Sequence, residues 1–136
     1  MTQPDAQRIY IFDATALIEL ERRDFLSVLT ALGGRVCIPT PVKTEVNRPR
    51  TRLEKWLGEN PRAVKRFVPG SPEEELYYQL TLTTAPALGA GEAAAIAIAS
   101  HRRAILVTDD QAAQRIAAEL SVTCMGIAAF LAMPIL

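Results

Sequence analysis

Histidine and cysteine are scarce in this chain: one histidine and two cysteines among 136 residues. Zinc sites draw on several such ligands at close spacing, and here there is no Cys-x-x-Cys pair and no second histidine to match His101. A disulfide framework is disfavoured as well. Cys37 and Cys124 each lie in a short apolar run, where buried, reduced thiols are expected. Excess charge is also missing, since 15 basic residues face 15 acidic ones. That balance fits neither a DNA-coating protein nor an acidic chaperone. The most apolar tail, 125–136, is too short to span a bilayer and contains Pro134. No N-terminal stretch has the basic, apolar and cleavage-site order of a signal peptide, so a cytoplasmic protein without membrane association is expected. A conventional phosphate loop is absent, and no lysine stands at a strand end where a phosphoreceiver would need it. Phosphotransfer is therefore disfavoured. Neither an internal repeat nor a low-complexity tract is found.

What the chain does have is apolar material, 49% of its residues, and a length suited to one domain over 1–136 with a substantial core. Two apolar runs end abruptly on aspartate: Ile9-Tyr10-Ile11-Phe12-Asp13, and Ala104-Ile105-Leu106-Val107-Thr108-Asp109-Asp110. Short β-branched and aromatic runs of this kind read as buried parallel strands. Between them the pattern alternates. Helices are expected over 15–21 and from Asp24 to the Gly33-Gly34 stop, then a strand over 35–38 closed by Pro39. Thr40 reads as an N-cap with Pro41 at the first helical position, starting a helix that carries Glu45. A basic amphipathic segment covers 50–57, a brief strand 65–68, and Ser71-Pro72-Glu73-Glu74 opens another helix. A loop over 83–91, with Pro86, Gly89 and Gly91, leads into an alanine-rich helix from Glu92. A helix over 111–120, a strand over 122–124 and a last helix from about Ile127 complete the series. Strands alternating with helices predict an α/β fold with a mainly parallel central sheet.

Ligands of open parallel sheets sit outside the carboxyl ends of the strands. Asp13, Glu45, Glu92 and the Asp109-Asp110 pair all fall where such a pocket would lie. Carboxylates gathered this way repel one another, and a divalent cation relieves the repulsion. Hard oxygen ligands suit Mg²⁺ or Mn²⁺, and Mg²⁺ takes one or two protein carboxylates while keeping several waters. Each acid also has a plainer role open to it. Glu92, Asp109 and Asp110 stand at predicted helix N-termini, where an acid stabilises the helix by roughly 0.3–1 kcal/mol. Glu45 on an exposed helix face would be ordinary. Asp13 is the hardest to explain away, because a carboxylate after Ile-Tyr-Ile-Phe is costly to bury without a partner.

Four segments together resemble the PIN domain family: Phe12-Asp13-Ala14-Thr15-Ala16-Leu17-Ile18-Glu19-Leu20, Pro39-Thr40-Pro41-Val42-Lys43-Thr44-Glu45-Val46, Gly89-Ala90-Gly91-Glu92-Ala93-Ala94-Ala95-Ile96, and Leu106-Val107-Thr108-Asp109-Asp110. Their Gly-Glu and Asp-Asp forms look most like a bacterial and archaeal subgroup close to toxin-type ribonucleases. The resemblance implies a three-layer α/β/α sandwich and a metal-dependent ribonuclease site. By it, Asp13, Glu45, Glu92 and Asp110 form the acidic pocket, with Asp109 an additional or alternative metal ligand. Thr15 would support Asp13 by a hydrogen bond, or simply cap its helix, and Thr108 would help position metal or water. RNA, an antitoxin protein and a second copy of the chain are the partners it implies. Arg48, Arg50, Arg52 and Lys55, just after Glu45, are the candidate phosphate contacts, with Arg102 and Arg103 a second basic group. Trp56 and Tyr77-Tyr78 are candidates for base stacking, but Trp56 reads first as an anchor of its helix and the tyrosines as part of an amphipathic or dimer-facing helix. The alternative function is a PIN-like module that binds RNA or protein without cutting.

Overall fold

In the computed structural model, residues 8–83 and 88–134 are described. Five short strands form one sheet: β1 (Tyr10–Phe12), β2 (Val36–Pro39), β3 (Val64–Lys65), β4 (Ile105–Val107) and β5 (Cys124–Met125). Their order is β3-β2-β1-β4-β5, and every pairing is parallel. Eight α-helices flank the sheet among the described residues: α1 (Ala14–Arg22), α2 (Ser27–Leu32), α3 (Thr40–Val46), α4 (Arg52–Glu59), α5 (Pro72–Thr83), α6 (Ala90–Arg102), α7 (Gln111–Glu119) and α8 (Ile127–Leu131). This is the parallel-sheet α/β fold that the alternation predicted, arranged as the α/β/α sandwich that the resemblance implied.

Alternation along each strand divides the core in two. Tyr10, Phe12, Val36, Ile38, Ile105 and Val107 face a cluster built with α1 to α4 and α8. Ile11, Cys37 and Leu106 face the other way, into a cluster with α5, α6 and α7. On the first face Phe130 of α8 packs edge-on against Phe12, with ring centroids 5.3 Å apart, and tilts over Tyr10 at 5.6 Å. Such aromatic pairs add about 0.5–1.5 kcal/mol beyond the area they bury. On the second face α6 is buried from Ala93 through Ala99. Alanine is the best helix former, and its small side chain lets the α6 backbone approach the sheet and α5 closely. Both cysteines are free thiols. Burial pushes the Cys37 thiol up to about 11, so it stays protonated at neutral pH.

Several local expectations shift. Helix α3 begins at Thr40 itself, with Pro39 in the cap position and no side-chain cap. Thr40 Oγ1 instead donates to the Lys65 carbonyl at 3.0 Å, fastening α3 to β3. Asp24 does not open α2. It adopts a left-handed conformation, φ 61°, in the turn after α1, and the helix starts at Ser27. Strand β3 ends at Lys65, not Val68, because its partner β2 turns into α3 after Pro39 and offers no further backbone to pair with. Helix α4 starts at Arg52, capped by Thr51 Oγ1, and runs on through Gly58 to Glu59. Trp56 is buried there, its Nε1 donating to Thr30 Oγ1 at 3.0 Å. Of the expected loop over 83–91, Pro86 lies outside the described residues. No described helix is long and apolar enough to cross a membrane.

Candidate active site

Strand β1 ends where Asp13 begins, and its register against β4 pairs Phe12 with Val107. The next residues along, Asp13 and Thr108, are therefore neighbours across 95 positions of sequence. Among the described residues they are the two polar or charged side chains that are fully buried, and they bond to each other: Thr108 Oγ1 donates to Asp13 Oδ2. Asp13 Oδ1 accepts the Ala16 N–H at 2.8 Å, which makes Asp13 the N-cap of α1. Two donors offset part of the desolvation of this carboxylate but supply no positive charge. Burial therefore raises its pKa above the ordinary aspartate value. The Thr108 and Ala16 donors oppose that rise, while Asp110 and Asp109 add to it.

Thr108 is also what ties the second aspartate in. Its Oγ1 accepts the Asp110 N–H at 3.1 Å, so one hydroxyl bridges the ends of β1 and β4. Asp110 caps α7, its Oδ1 accepting the Ala113 N–H at 2.8 Å. It also faces Glu92. Helix α6 brings Glu92 in from its first turn, where Oε1 accepts the Gly89 N–H at 3.4 Å. The other oxygen, Glu92 Oε2, is buried and receives no hydrogen bond from the described residues. Burial and then the charge of Asp110 push the Glu92 carboxyl up to about 7. Contact between the two acids is a hydrogen bond only while a proton lies between them. Glu45 arrives from α3, on the far side of β1, and is latched to the same helix end: its Oε1 accepts the Gly91 N–H at 3.0 Å.

Asp109 points elsewhere. Its Oδ1 accepts the Ile127 N–H at 3.0 Å and so caps α8, whose own cap position is Gly126. A Cβ on Gly126 would sit 2.7 Å from that oxygen. The aspartates at the end of β4 therefore diverge, Asp110 toward Glu92 and Asp109 toward α8. The described ion pairs join Arg22 and Arg23 to Glu19, Arg52 to Asp24, and Arg102 to Glu73; none involves these five acids. A family model described as a PIN domain, DUF3368, matches residues 9–133. The chain belongs to the PIN domain family. No curated protein matches it.

PIN domains are generally nucleases that use divalent metals, and the donor set here can be tested against such an ion. No three of the described His, Cys, Asp and Glu side chains form a ready-made metal cage. Mg²⁺ does not need one, since it is bound by one or two carboxylates and completes its shell with water. A carboxyl with one buried oxygen that has no donor among the described residues, beside a second carboxylate and in no described ion pair, is the arrangement a hard cation would relieve. The residues fit the ion.

Two expected roles do not match the geometry of this PIN domain. Thr15 is exposed in the first turn of α1, and the hydrogen bond expected from it to Asp13 comes from Thr108. Nor does Thr15 cap the helix, because Asp13 does. Arg52, a candidate phosphate contact, has its guanidinium engaged already: Nη1 pairs with Asp24, and Nη2 donates to the Glu21 carbonyl at 2.9 Å. It joins α4 to the α1–α2 turn. Arg48, Arg50 and Lys55 are exposed, with Arg50 in a left-handed conformation, φ 67°. Arg102 forks onto Glu73. His101 Nδ1 lies 3.1 Å from the Ala97 carbonyl of its own helix. Sequence reasoning missed the backbone contributors, namely Gly91, Gly126 and the Ile127 N–H. Gly91 carried a visible signal as the residue before Glu92. Gly126 carried none.

Proposed function

We propose that this PIN domain is a Mg²⁺- or Mn²⁺-dependent endoribonuclease, with Asp13, Glu92 and Asp110 as the carboxylates that hold the ion and Glu45 at the rim of the same pocket. The Glu92 carboxyl, beside Asp110 and with its buried Oε2 given no donor by the described residues, carries this reading. Bound there, the ion would lower the pKa of a water and stabilise charge on a phosphodiester undergoing hydrolysis. The chain's own residues do the rest. Thr108 holds Asp13 and Asp110 at fixed positions on adjacent strand ends. The Gly91 N–H orients Glu45 toward the opening end of α6. The Glu92 carboxyl, pushed up to about 7 by burial and by the Asp110 charge, would be held ionised as a ligand once the cation offsets that repulsion. Asp109, with one oxygen bound to α8, serves as a support and not as a principal ligand.

The acids repel a phosphate backbone until a cation neutralises them. Cleavage of single-stranded RNA should therefore stop in excess chelator and return with Mg²⁺. Full activity in chelator would end the proposal. Exposed Arg48, Arg50 and Lys55 are the chain's contribution to backbone binding in this reading, and their neutralisation should weaken RNA binding and flatten its salt dependence. Apolar surface at Tyr78 and Leu82, one turn apart on α5, supports self-association, which light scattering on the purified protein would check. Action as the toxin of a toxin–antitoxin pair follows from the likeness to toxin-type PIN sequences. It would be tested by growth arrest on expression and its relief by the product of an adjacent gene.

A second reading, an RNA- or protein-binding module that does not cut, draws on the absence of a three-ligand cage among the described residues. Asp13→Asn separates the two. Binding kept and cleavage lost means a nuclease, while binding kept with no cleavage by either protein means a module.

A further inference from the structure

At the opposite end of the strands lies a polar hollow of about 260 Å³. Arg8 enters it just before β1, Arg103 just before β4, and Ser121 and Thr123 just before β5, with Ser100 from the last turns of α6. Its other lining residues are alanine and valine, so two arginines and three hydroxyl-bearing residues line it with no carboxylate among the described residues. Neither arginine belongs to an ion pair of the described residues, although Arg22, Arg23, Arg52 and Arg102 all do. Arg103 and Ser121 both adopt left-handed backbone, φ 52° and 59°, where the chain turns from helix toward strand.

We infer that this hollow binds a phosphate-class oxyanion. Guanidinium groups match tetrahedral oxyanions with forked hydrogen bonds, and hydroxyls complete the shell as donors. The carboxyl end of α6 opposes an anion with roughly half a negative charge, against two full positive charges from the arginines. The balance stays positive. The volume lies below the roughly 300–1,000 Å³ of pockets that enclose drug-sized ligands. It suits inorganic phosphate or the terminal phosphate of a nucleic-acid strand better than a whole nucleotide. Because the acids occupy the other end of the sheet, this site and the proposed nuclease can each stand or fall alone.

The test is an amide NMR titration of the metal-free, full-length protein with inorganic phosphate, using chloride at equal ionic strength as the control. Phosphate should shift resonances of 99–104 and 121–123 and spare those around Asp13 and Glu92. Arg8→Gln and Arg103→Gly should each weaken binding by roughly tenfold, the loss of one charge-assisted contact of about 1.4 kcal/mol. The glycine also relaxes the left-handed backbone, so folding is preserved. Two oligonucleotides distinguish the sources. If a strand end is the ligand, a 5′-phosphorylated RNA binds more tightly than its 5′-hydroxyl twin, and Arg103→Gly abolishes the difference. If free phosphate is the ligand, the two RNAs bind equally while phosphate still fills the hollow. An absence of phosphate-specific shifts at 99–104 and 121–123, or equal shifts with chloride, would overturn the inference.

Discussion

The two ends of one sheet have gathered opposite charges, by different means. At the carboxyl end, Asp13 and Asp110 are held by hydrogen bonds from Thr108, Ala16 and Ala113, while Glu45 and Asp109 are fixed by backbone N–H groups of distant helices. At the amino end, Arg8 and Arg103 line a hollow with two serines and a threonine, and no acid is among its described lining residues. A pair of opposite charges on the surface gains little and costs nothing to leave apart. Like charges brought together and partly buried are different, because each raises the cost of the other. The carboxyl end is therefore the place where this fold gives up stability in order to assemble a site.

The largest effect should come from Asp13→Asn. The amide can still accept from Ala16 and can bond to Thr108, so the fold is kept while a buried charge disappears. RNA cleavage should fall by about 10²–10⁴-fold, yet the metal-free protein should melt at a higher temperature than wild type. Activity and stability moving down together would show that Asp13 is structural and the comparison mistaken.

Gly91→Ala comes next. Its Cβ would lie 2.5 Å from Glu45 Oε1 and 3.2 Å from Val42 Cγ2. Glu45 ends a flexible side chain and can swing away, and alanine returns roughly 0.5–1 kcal/mol of helix preference over glycine. Stability should hardly change while cleavage drops by roughly tenfold or more. A large loss of melting temperature would instead place the constraint at Val42.

The metal-free melting temperature should depend on pH with a definite sign. Burial and the Asp110 charge push the Glu92 carboxyl up to about 7 in the folded protein, against about 4.5 for an ordinary glutamate. Between those values the folded chain holds more protons than the unfolded one, so stability falls as pH rises from about 5 to 8. The raised Asp13 carboxyl acts in the same direction. Mg²⁺ should flatten the slope, and Glu92→Gln should reduce it. A slope of opposite sign would mean that the acids are not held together.

Smaller effects separate the two aspartates after β4. Asp109→Ala removes the cap of α8 and should cost about 1 kcal/mol, some 4 °C in melting temperature. Asp110→Ala also loses a cap but relieves the repulsion on Glu92, so the net change should be smaller. Equal losses would imply that Asp110 and Glu92 do not interact.

How much of this was legible follows from the range of each interaction. The strands ending at Asp13 and Asp109, the alanine-rich helix and the order of the acids are local patterns, readable from the burial and turn preferences of neighbouring residues. The roles of Asp109 and Asp110 were not, because the partner of Asp109 is the Ile127 N–H on another element. Thr15 stood beside Asp13 in sequence and looked like its support, but helix geometry turns it to solvent and strand register brings in Thr108. Arg52 read as a free cation until the turn containing Asp24 folded back onto it. In each case proximity in sequence suggested a partner, and tertiary packing chose another.

The Thr108 bridge also bears on when the molecule becomes active. Strand β1 emerges before β4, the hydroxyl that completes the Asp13 environment arrives 95 residues later, and β1 must wait for β4 before the bridge can close. Closing a long loop adds only a slowly growing entropic cost, so the delay is set by translation, at about 5–20 residues per second. If the chain cuts RNA as proposed, the message being read is spared by the nascent enzyme until its fourth strand has left the ribosome.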